Sequence, residues 1–272
     1  MKSALAIHDL SCHGASSLSV AMPILLASSI DLSILPSTLL SSQSDGFEGL
    51  YCRDLGGECR RIMDVWRGYG LHFDSLYSGY LGDRGHQDLV MAARRDFLKA
   101  DALILTDPVL GDGGDLYQNL TSGHVDMMRE LVKGSDVITP NWTEACLLLS
   151  APVAKEVSVR DAEAAAGELS ARSGAAVVIT SVPLTGGFLA NCAFDGSEAR
   201  IFGFDRLQTS YPGSGDMFAS LLLSFMLNGS SFFVSCRRAT AVSSHAIACT
   251  LRDGRERRQG VNVAYAVSSL SD

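Results

Sequence analysis

The feature that most constrains this chain is the steady exchange of short apolar runs with longer helical patterns. Ala4–Ile7, Leu32–Leu40, Ser75–Tyr80, Ala102–Thr106, Val137–Ile138 and Ala176–Ile179 each read as a strand. Helical patterns fill the stretches between them, at 57–68, 87–99, 122–133, 145–150 and 158–173. Strand–helix–strand repeats assemble most simply into a mainly parallel sheet with helices on its faces. The expected fold is therefore α/β, a three-layer arrangement with the central sheet flanked by helices. Phe188–Phe194 and Ala199–Phe204 add a β-hairpin around Asp195-Gly196, and helices are expected near 232–250 and 261–270. No Pro/Gly/Ser-rich linker divides the chain, so residues 1–272 are expected to form one domain; the 47% apolar content suffices for a core of that size.

In parallel sheets, ligands bind at the loops beyond the strand C-termini, so the polar residues there matter most. The first strand leads into Asp9, Ser11 and His13, and the second into Ser41-Ser42-Gln43-Ser44-Asp45-Gly46. The strand ending at Thr106 runs into Asp107-Pro108-Val109-Leu110-Gly111-Asp112-Gly113-Gly114-Asp115. Carboxylates there suit a hard cation, although an isolated loop of this kind is more simply an acidic turn. Thr139-Pro140-Asn141-Trp142-Thr143-Glu144 opens a helix, where Thr143 could be the N-cap and Glu144 a first-turn acid favoured by the dipole. Tyr211-Pro212-Gly213-Ser214-Gly215-Asp216 precedes the apolar run Met217–Leu223. Two readings are equally open for it. Its glycines and the helix N-terminus could cradle a phosphate beside an acidic base, or Ser214 or Asp216 could merely cap a core helix.

Composition removes several classes of function. A net charge of −8 argues against general affinity for nucleic acid or anionic membrane. The cluster Arg252, Arg255, Arg257, Arg258 is mixed with acids and reads as a solvated loop. Seven cysteines at irregular spacings, with no C-x-x-C, fit reduced thiols rather than disulfides or zinc. His13, His72, His86, His124 and His245 show no metal-ligand spacing. The apolar start stops at His8-Asp9, too short for a signal peptide, and Pro23 and Asp31 interrupt the run at 20–30. A soluble, cytoplasmic protein is expected.

The polar loops together offer what phosphoryl transfer needs: backbone donors, carboxylates near Mg²⁺ and a positioned acceptor. G-x-x-x-x-G-K-[ST], H-R-D and D-F-G are all absent, so neither a P-loop enzyme nor a protein kinase is indicated. Tyr-Pro-Gly-Ser-Gly-Asp at 211–216, Asp-Pro-Val-Leu-Gly-Asp at 107–112 and Thr-Pro-Asn-Trp-Thr-Glu at 139–144 resemble the pyridoxal/pyridoxamine kinases of the ribokinase-like superfamily. Val178-Ile179-Thr180-Ser181 and Ile7-His8-Asp9-Leu10-Ser11 fit as well, and the order holds from about Ala4 to Gly260.

The resemblance implies ATP-dependent phosphorylation of the 5′-hydroxymethyl group of a B6 vitamer. By position it implies that Asp216 is the base and that Gly213, Ser214 and Gly215 donate backbone N–H groups to the transferred phosphoryl. It places Asp112 and Glu144 near Mg²⁺, and Asp107, Thr139, Asn141 and Thr180 around the triphosphate and, in some members, a monovalent cation such as K⁺. Ser181 lies on the nucleotide side, Tyr117 near the phosphates, and Asp9, Ser44 and Tyr80 against the vitamer. A homodimer is implied. The second substrate loop departs from the related Ser-Thr-His-Thr-Gly, reading Ser41-Ser42-Gln43-Ser44-Asp45; Asp9 and Asp45 are expected to favour a cationic substrate such as pyridoxamine. The alternatives are a hydroxymethylpyrimidine kinase of the same fold, or a non-catalytic member that binds vitamer or nucleotide.

Overall fold

Lys2–Ser11 (β1) is buried along nearly its whole length, on both faces. A strand covered on both sides belongs in the middle of a parallel sheet, which is why it reads as a near-continuous apolar run. The computed structural model describes residues 1–118, 120–204 and 210–270. After β1 come α1 (Leu18–Ala27), β2 (Ile30–Leu40), β3 (Cys52–Asp54), α2 (Gly56–Tyr69), β4 (Phe73–Ser78) and α3 (Arg84–Phe97). The middle of the chain forms β5 (Leu98–Thr106), the short pair β6 (Gly111–Asp112) and β7 (Asp115–Leu116), α4 (Ser122–Leu131), β8 (Val137–Ile138), α5 (Trp142–Leu149) and α6 (Val159–Ser173). It closes with β9 (Ala176–Leu184), β10 (Phe188–Phe194), β11 (Ala199–Phe204), α7 (Ser214–Leu227), α8 (Phe232–Arg252) and α9 (Val263–Ser268).

Nine strands form one sheet in the order β11-β10-β9-β8-β5-β4-β1-β2-β3. The six strands from β9 to β2 in that order run parallel. β3 and the β10–β11 hairpin join the edges antiparallel. One apolar layer packs α2 to α6 on one face, through Met63, Leu89, Val125, Ala145 and Ala166. The opposite layer packs α1, α7, α8 and α9, through Ile24, Leu222, Ala239 and Ala266. The expected three-layer α/β architecture is what forms.

Chain direction across the sheet reverses at β1, since β2 lies on one side of it and β4 on the other. Such a reversal opens a crevice beyond the strand C-termini. Pro23 sits inside α1, where it removes one backbone donor. Ser158 and Asp161 form the capping box read from the sequence. At the start of α5, however, the N-cap is Asn141 rather than Thr143, and Glu144 completes its capping box.

Candidate active site

α7 is buried from Met217 through Phe225, and its N-cap is Gly213, with φ +81°. That conformation disfavours a side chain. Space forbids one too, because a Cβ there would lie 2.6 Å from the Ala15 carbonyl oxygen. Neither Ser214 nor Asp216 caps the helix through its side chain. The Asp216 carboxylate turns instead to the loop after β1, where Oδ2 accepts the Ser17 N–H at 2.8 Å. Desolvation raises the Asp216 pKa above the ordinary carboxylate value, and the Ser17 N–H opposes that rise.

The strand ends bring further acids to Asp216. Asp107, buried just beyond β5, is pushed up by burial first and then by the charge of Asp216. Thr139, beyond β8, donates its hydroxyl to Asp107 Oδ1 at 3.0 Å. Glu144 is also buried and is raised by desolvation and by Asp107. Its Oε1 accepts Leu110 N–H at 2.9 Å and its Oε2 accepts Asn141 N–H at 2.8 Å. The Asn141 amide is fully used in the same scaffold: Oδ1 accepts Glu144 N–H at 2.9 Å and Nδ2 donates to the Gly111 carbonyl at 2.7 Å. Thr143 accepts the Gly114 N–H at 3.0 Å, which ties the β6–β7 turn to α5. Asp112 is exposed at that turn. Tyr117 is 41% exposed, with its hydroxyl in the field of Glu144, Asp112, Asp216 and Asp107.

Thr180 and Ser181 lie farther along the same edge. Thr180 donates its N–H to the Pro140 carbonyl at 2.8 Å. Ser181, with φ 54°, is exposed and donates its N–H to Asn191 Oδ1 at 3.1 Å.

On the other side of Asp216 stands Asp9, 3% exposed at the end of β1. Burial lifts its carboxyl to about 7, with the Asp216 charge adding and the Ser17 hydroxyl opposing. Tyr80 is half-buried beside it; desolvation and then the charge of Asp9 raise the phenol. His8 lies fully buried beneath, edge-on to Tyr77 at 4.4 Å, and burial lowers its imidazole to about 3. A Cβ on Gly79 would fall 1.7 Å from His8 Cε1, so the ring occupies the space a side chain would need. Neither His8 nor Ser17 was singled out in the sequence. A histidine directly after the first apolar run was the available signal for the first; nothing in the sequence pointed to the second.

In the loop after β2, Asp45 is exposed and pairs with Arg257 at 2.5 Å, so part of its charge is offset within the protein. Ser44 is exposed. Ser42 and Gln43 are the buried residues of this loop, and Gln43 donates Nε2 to the carbonyls of Arg258, at 2.8 Å, and Asp45.

Four buried or half-buried carboxylates, Asp9, Asp107, Glu144 and Asp216, thus line one edge. Among the described residues no lysine, arginine or histidine forms an ion pair with any of them. Unanswered buried charge of this kind suits a cation from outside the chain. Asp54, Asp83 and His86 also approach within metal-ligand distance of one another, which the sequence spacing did not show. There, however, His86 Nδ1 accepts the Gly82 N–H at 3.1 Å and Nε2 faces Asp54 Oδ1 at 3.0 Å, so both ring nitrogens are taken.

The sequence model of the phosphomethylpyrimidine kinase family matches residues 71–262. This chain belongs to that family. A pyridoxine/pyridoxal/pyridoxamine kinase of Bordetella avium (strain 197N) is 31% identical over 258 residues, covering 87% of this chain and 82% of the relative. Pyridoxal kinase from Lactobacillus plantarum superposes with a TM-score of 0.90 at 31% identity, over 99% of this chain and 96% of that one. A Bacteroides thetaiotaomicron VPI-5482 structure in an orthorhombic form with pyridoxal gives 0.91 at 32% identity, over 100% and 96%. These likenesses identify the ribokinase-like fold of the family member described here.

Proposed function

We propose that this chain transfers the γ-phosphoryl group of ATP to the 5′-hydroxymethyl oxygen of a B6 vitamer: pyridoxal, pyridoxamine or pyridoxine. Asp216 takes the hydroxyl proton as that oxygen attacks the γ-phosphorus; the bond from phosphorus to the β–γ bridging oxygen breaks, and ADP leaves. The observation that carries the reading is the Asp216 carboxylate at the N-terminus of α7, beside Gly213-Ser214-Gly215 and in the field it shares with Asp9 and Asp107. A raised carboxylate pKa makes a better proton acceptor near neutrality, and general-base help is worth ~10²–10⁴ in rate. Among the described residues the N–H groups of Gly213 and Gly215 have no partner and could meet phosphoryl oxygens at the positive end of the helix, while Ser214 donates its N–H to the Tyr211 carbonyl at 3.3 Å.

The donor set fits Mg²⁺, since carboxylate oxygens suit hard cations. Asp112 and Glu144 would hold the ion directly or through water, with Asp107 close by. When bound, Mg²⁺ neutralises charge on the phosphates and orients them. Asp107, Thr139 and Thr180 line the triphosphate side, where a monovalent cation such as K⁺ would also be accommodated. Asn141 acts there through the Gly111 turn that it holds. Tyr117 and Ser181 flank the nucleotide, and Asp9, Ser44 and Tyr80 the vitamer. Asp9, carrying a proton near neutrality, offers a donor as well as an acceptor to the pyridine substituents. We further propose a homodimer in the cytoplasm, as the resemblance of the motifs implies. Among the described residues no helix is long and apolar enough to cross a membrane.

The family's own description favours a second reading, phosphorylation of hydroxymethylpyrimidine by the same machinery. ADP release with Mg-ATP and each of the four acceptors separates the two. Turnover of the pyrimidine alone selects the second, and turnover of none of them makes the chain a binding protein. Asp216→Asn is expected to lower kcat ~10²–10⁴-fold while leaving the nucleotide Kd within about threefold. Loss of nucleotide binding in step with turnover would make Asp216 a structural residue.

A further inference from the structure

Ser17 is the N-cap of α1, yet it does not cap the helix through its side chain. Its backbone stands at φ 48°, ψ −126°, a region that residues with side chains seldom occupy. The other serines at positive φ are Ser29, Ser150 and Ser181, and for Ser150 the ψ of 33° makes it an ordinary left-handed helix end. Ser17 has no such excuse. Disfavoured backbone of this kind persists only where its surroundings over-determine it.

The surroundings here do so. The Ala15 carbonyl is seated between Gly213 and Gly260, so closely that a Cβ on either would lie 2.6 Å or 2.5 Å from its oxygen. Ala15 N–H donates to the Gln259 carbonyl at 3.0 Å. Ser16 donates its hydroxyl to Ser11 Oγ at 2.9 Å and its N–H to Ser19 Oγ at 3.0 Å. Ser19 returns its hydroxyl to the Ser16 carbonyl at 2.7 Å. Residues 15 and 16 are thus fixed from four directions, and the chain enters α1 only by twisting at Ser17. What that twist achieves is the delivery of one buried N–H to Asp216 Oδ2 at 2.8 Å, from 199 positions earlier in the chain. The Ser17 hydroxyl, on the same residue, acts on Asp9.

We propose that Ser17 is a positioning residue, whose strained main chain pins one oxygen of the Asp216 carboxylate so that the other faces the acceptor hydroxyl. The inference rests on Asp216 being the base, as proposed above. A carboxylate that is free to rotate presents a productive oxygen only part of the time. One held by a charge-assisted bond on its far oxygen is preorganised, and the N–H also keeps it in its charged, proton-accepting form. Ser17 touches neither ATP nor the vitamer in this role; it acts through Asp216.

The test uses the full-length enzyme with Mg-ATP and the best of the four acceptors. Ser17→Val cannot hold φ 48° and turns the N–H away. Its kcat is expected to fall about 10- to 100-fold, as for loss of a hydrogen bond to a charged group, with the KM for ATP within about twofold. Ser17→Gly keeps the N–H and tolerates the dihedral, and is expected to recover at least tenfold of that loss where the loss is large enough to show it. In an Asp216→Asn background Ser17→Val should lower the residual turnover by less than about twofold. An equal loss in both backgrounds means that Ser17 only supports the loop, and overturns the inference. The wild-type enzyme supplies a second measurement that does not depend on Ser17→Val folding. In ¹⁵N-labelled protein the Ser17 amide proton should lie downfield and move upfield in Asp216→Ala; an amide unaffected by that change overturns the inference as well. Failure of the underlying reading looks different: Asp216→Asn would then keep wild-type turnover, whatever the Ser17 amide does.

Discussion

The two outer glycines of Gly213-Ser214-Gly215 should respond in opposite ways to the same substitution. Gly213→Ala places a methyl 2.6 Å from the Ala15 oxygen and 3.0 Å from Val20 Cγ2, on a backbone at φ +81°. Forcing an L-residue into the left-handed region costs about 1–2 kcal/mol, and overpacking a tight contact another 1–3 kcal/mol. An unfolding entropy of about 2 cal/mol/K per residue makes 1 kcal/mol worth about 2 °C in a chain of this length. Gly213→Ala should therefore lower Tm by about 4–10 °C. It should also depress turnover, because the Ala15 loop that carries Ser17 has to move. Gly215 is different: among the described residues a Cβ there meets no heavy atom within 4 Å, and the residue lies in the first turn of α7. Alanine is the better helix former by about 1 kcal/mol, so Gly215→Ala should leave Tm unchanged or raise it by about 2 °C. The empty space beside it is where the proposed phosphoryl group would sit, and the methyl should cut turnover at least about tenfold by holding that group away from the N–H donors. Scanning calorimetry and ADP release on the two variants decide the matter. A Gly215→Ala enzyme destabilised as much as Gly213→Ala, or a Gly213→Ala enzyme with an unchanged Tm, would refute the division of labour between these glycines.

Two further outcomes follow from charges in the crevice. The Asp9 carboxyl binds its proton more tightly when folded, at about 7, than when unfolded, at about 4, so its contribution favours the fold at low pH and fades as pH rises through 7. His8, lowered to about 3, works the other way, losing stability as pH falls below its unfolded value of about 6.5. The two oppose each other in wild type, so the measurement is a difference. In metal-free thermal melts, wild type should lose stability relative to Asp9→Asn between about pH 4 and pH 7; parallel curves would mean that Asp9 is not a buried acid. Asp45→Gly removes an exposed ion pair worth ~0–1 kcal/mol, so the ratio of kcat/KM for pyridoxamine over pyridoxal should change less than about fivefold. A larger shift toward pyridoxal would make Asp45 a specificity residue.

The fold was legible because both ingredients of a parallel sheet announce themselves locally. β1 is buried on both faces and carries an apolar run, and α2 and α3 carry charge on one side only. The β10–β11 hairpin appeared over the residues expected, since Asp195-Gly196 is a strong turn signal. Elements whose reason for existing is tertiary were not legible. β3 is three exposed residues that form a strand only because Leu40 offers an unpaired edge, and β6–β7 is held by Asn141 and Thr143 from α5. β9 was read as ending at Ile179 but extends to Leu184, through a proline, where it pairs with β10. In the site, the acids beyond the strand ends, such as Asp107 and Glu144, stood out in the sequence, but their roles came only from the resemblance of their motifs to the kinase family. Ser17 could not, because its contribution is a main-chain group in an unusual conformation, and no side-chain pattern encodes that. The ion pair of Asp45 could not be read for a related reason: its counter-ion, Arg257, lies more than two hundred residues away.

The seat of the Ala15 carbonyl between Gly213 and Gly260 has a consequence for how the protein comes to life on the ribosome. A nascent chain that has emerged only as far as α7 already holds every acid named above, yet it lacks the second half of the vice that bends the backbone at Ser17. On the proposed reading, catalytic competence is expected only with the stretch following α8, and truncated products ending before residue 260 should turn over nothing.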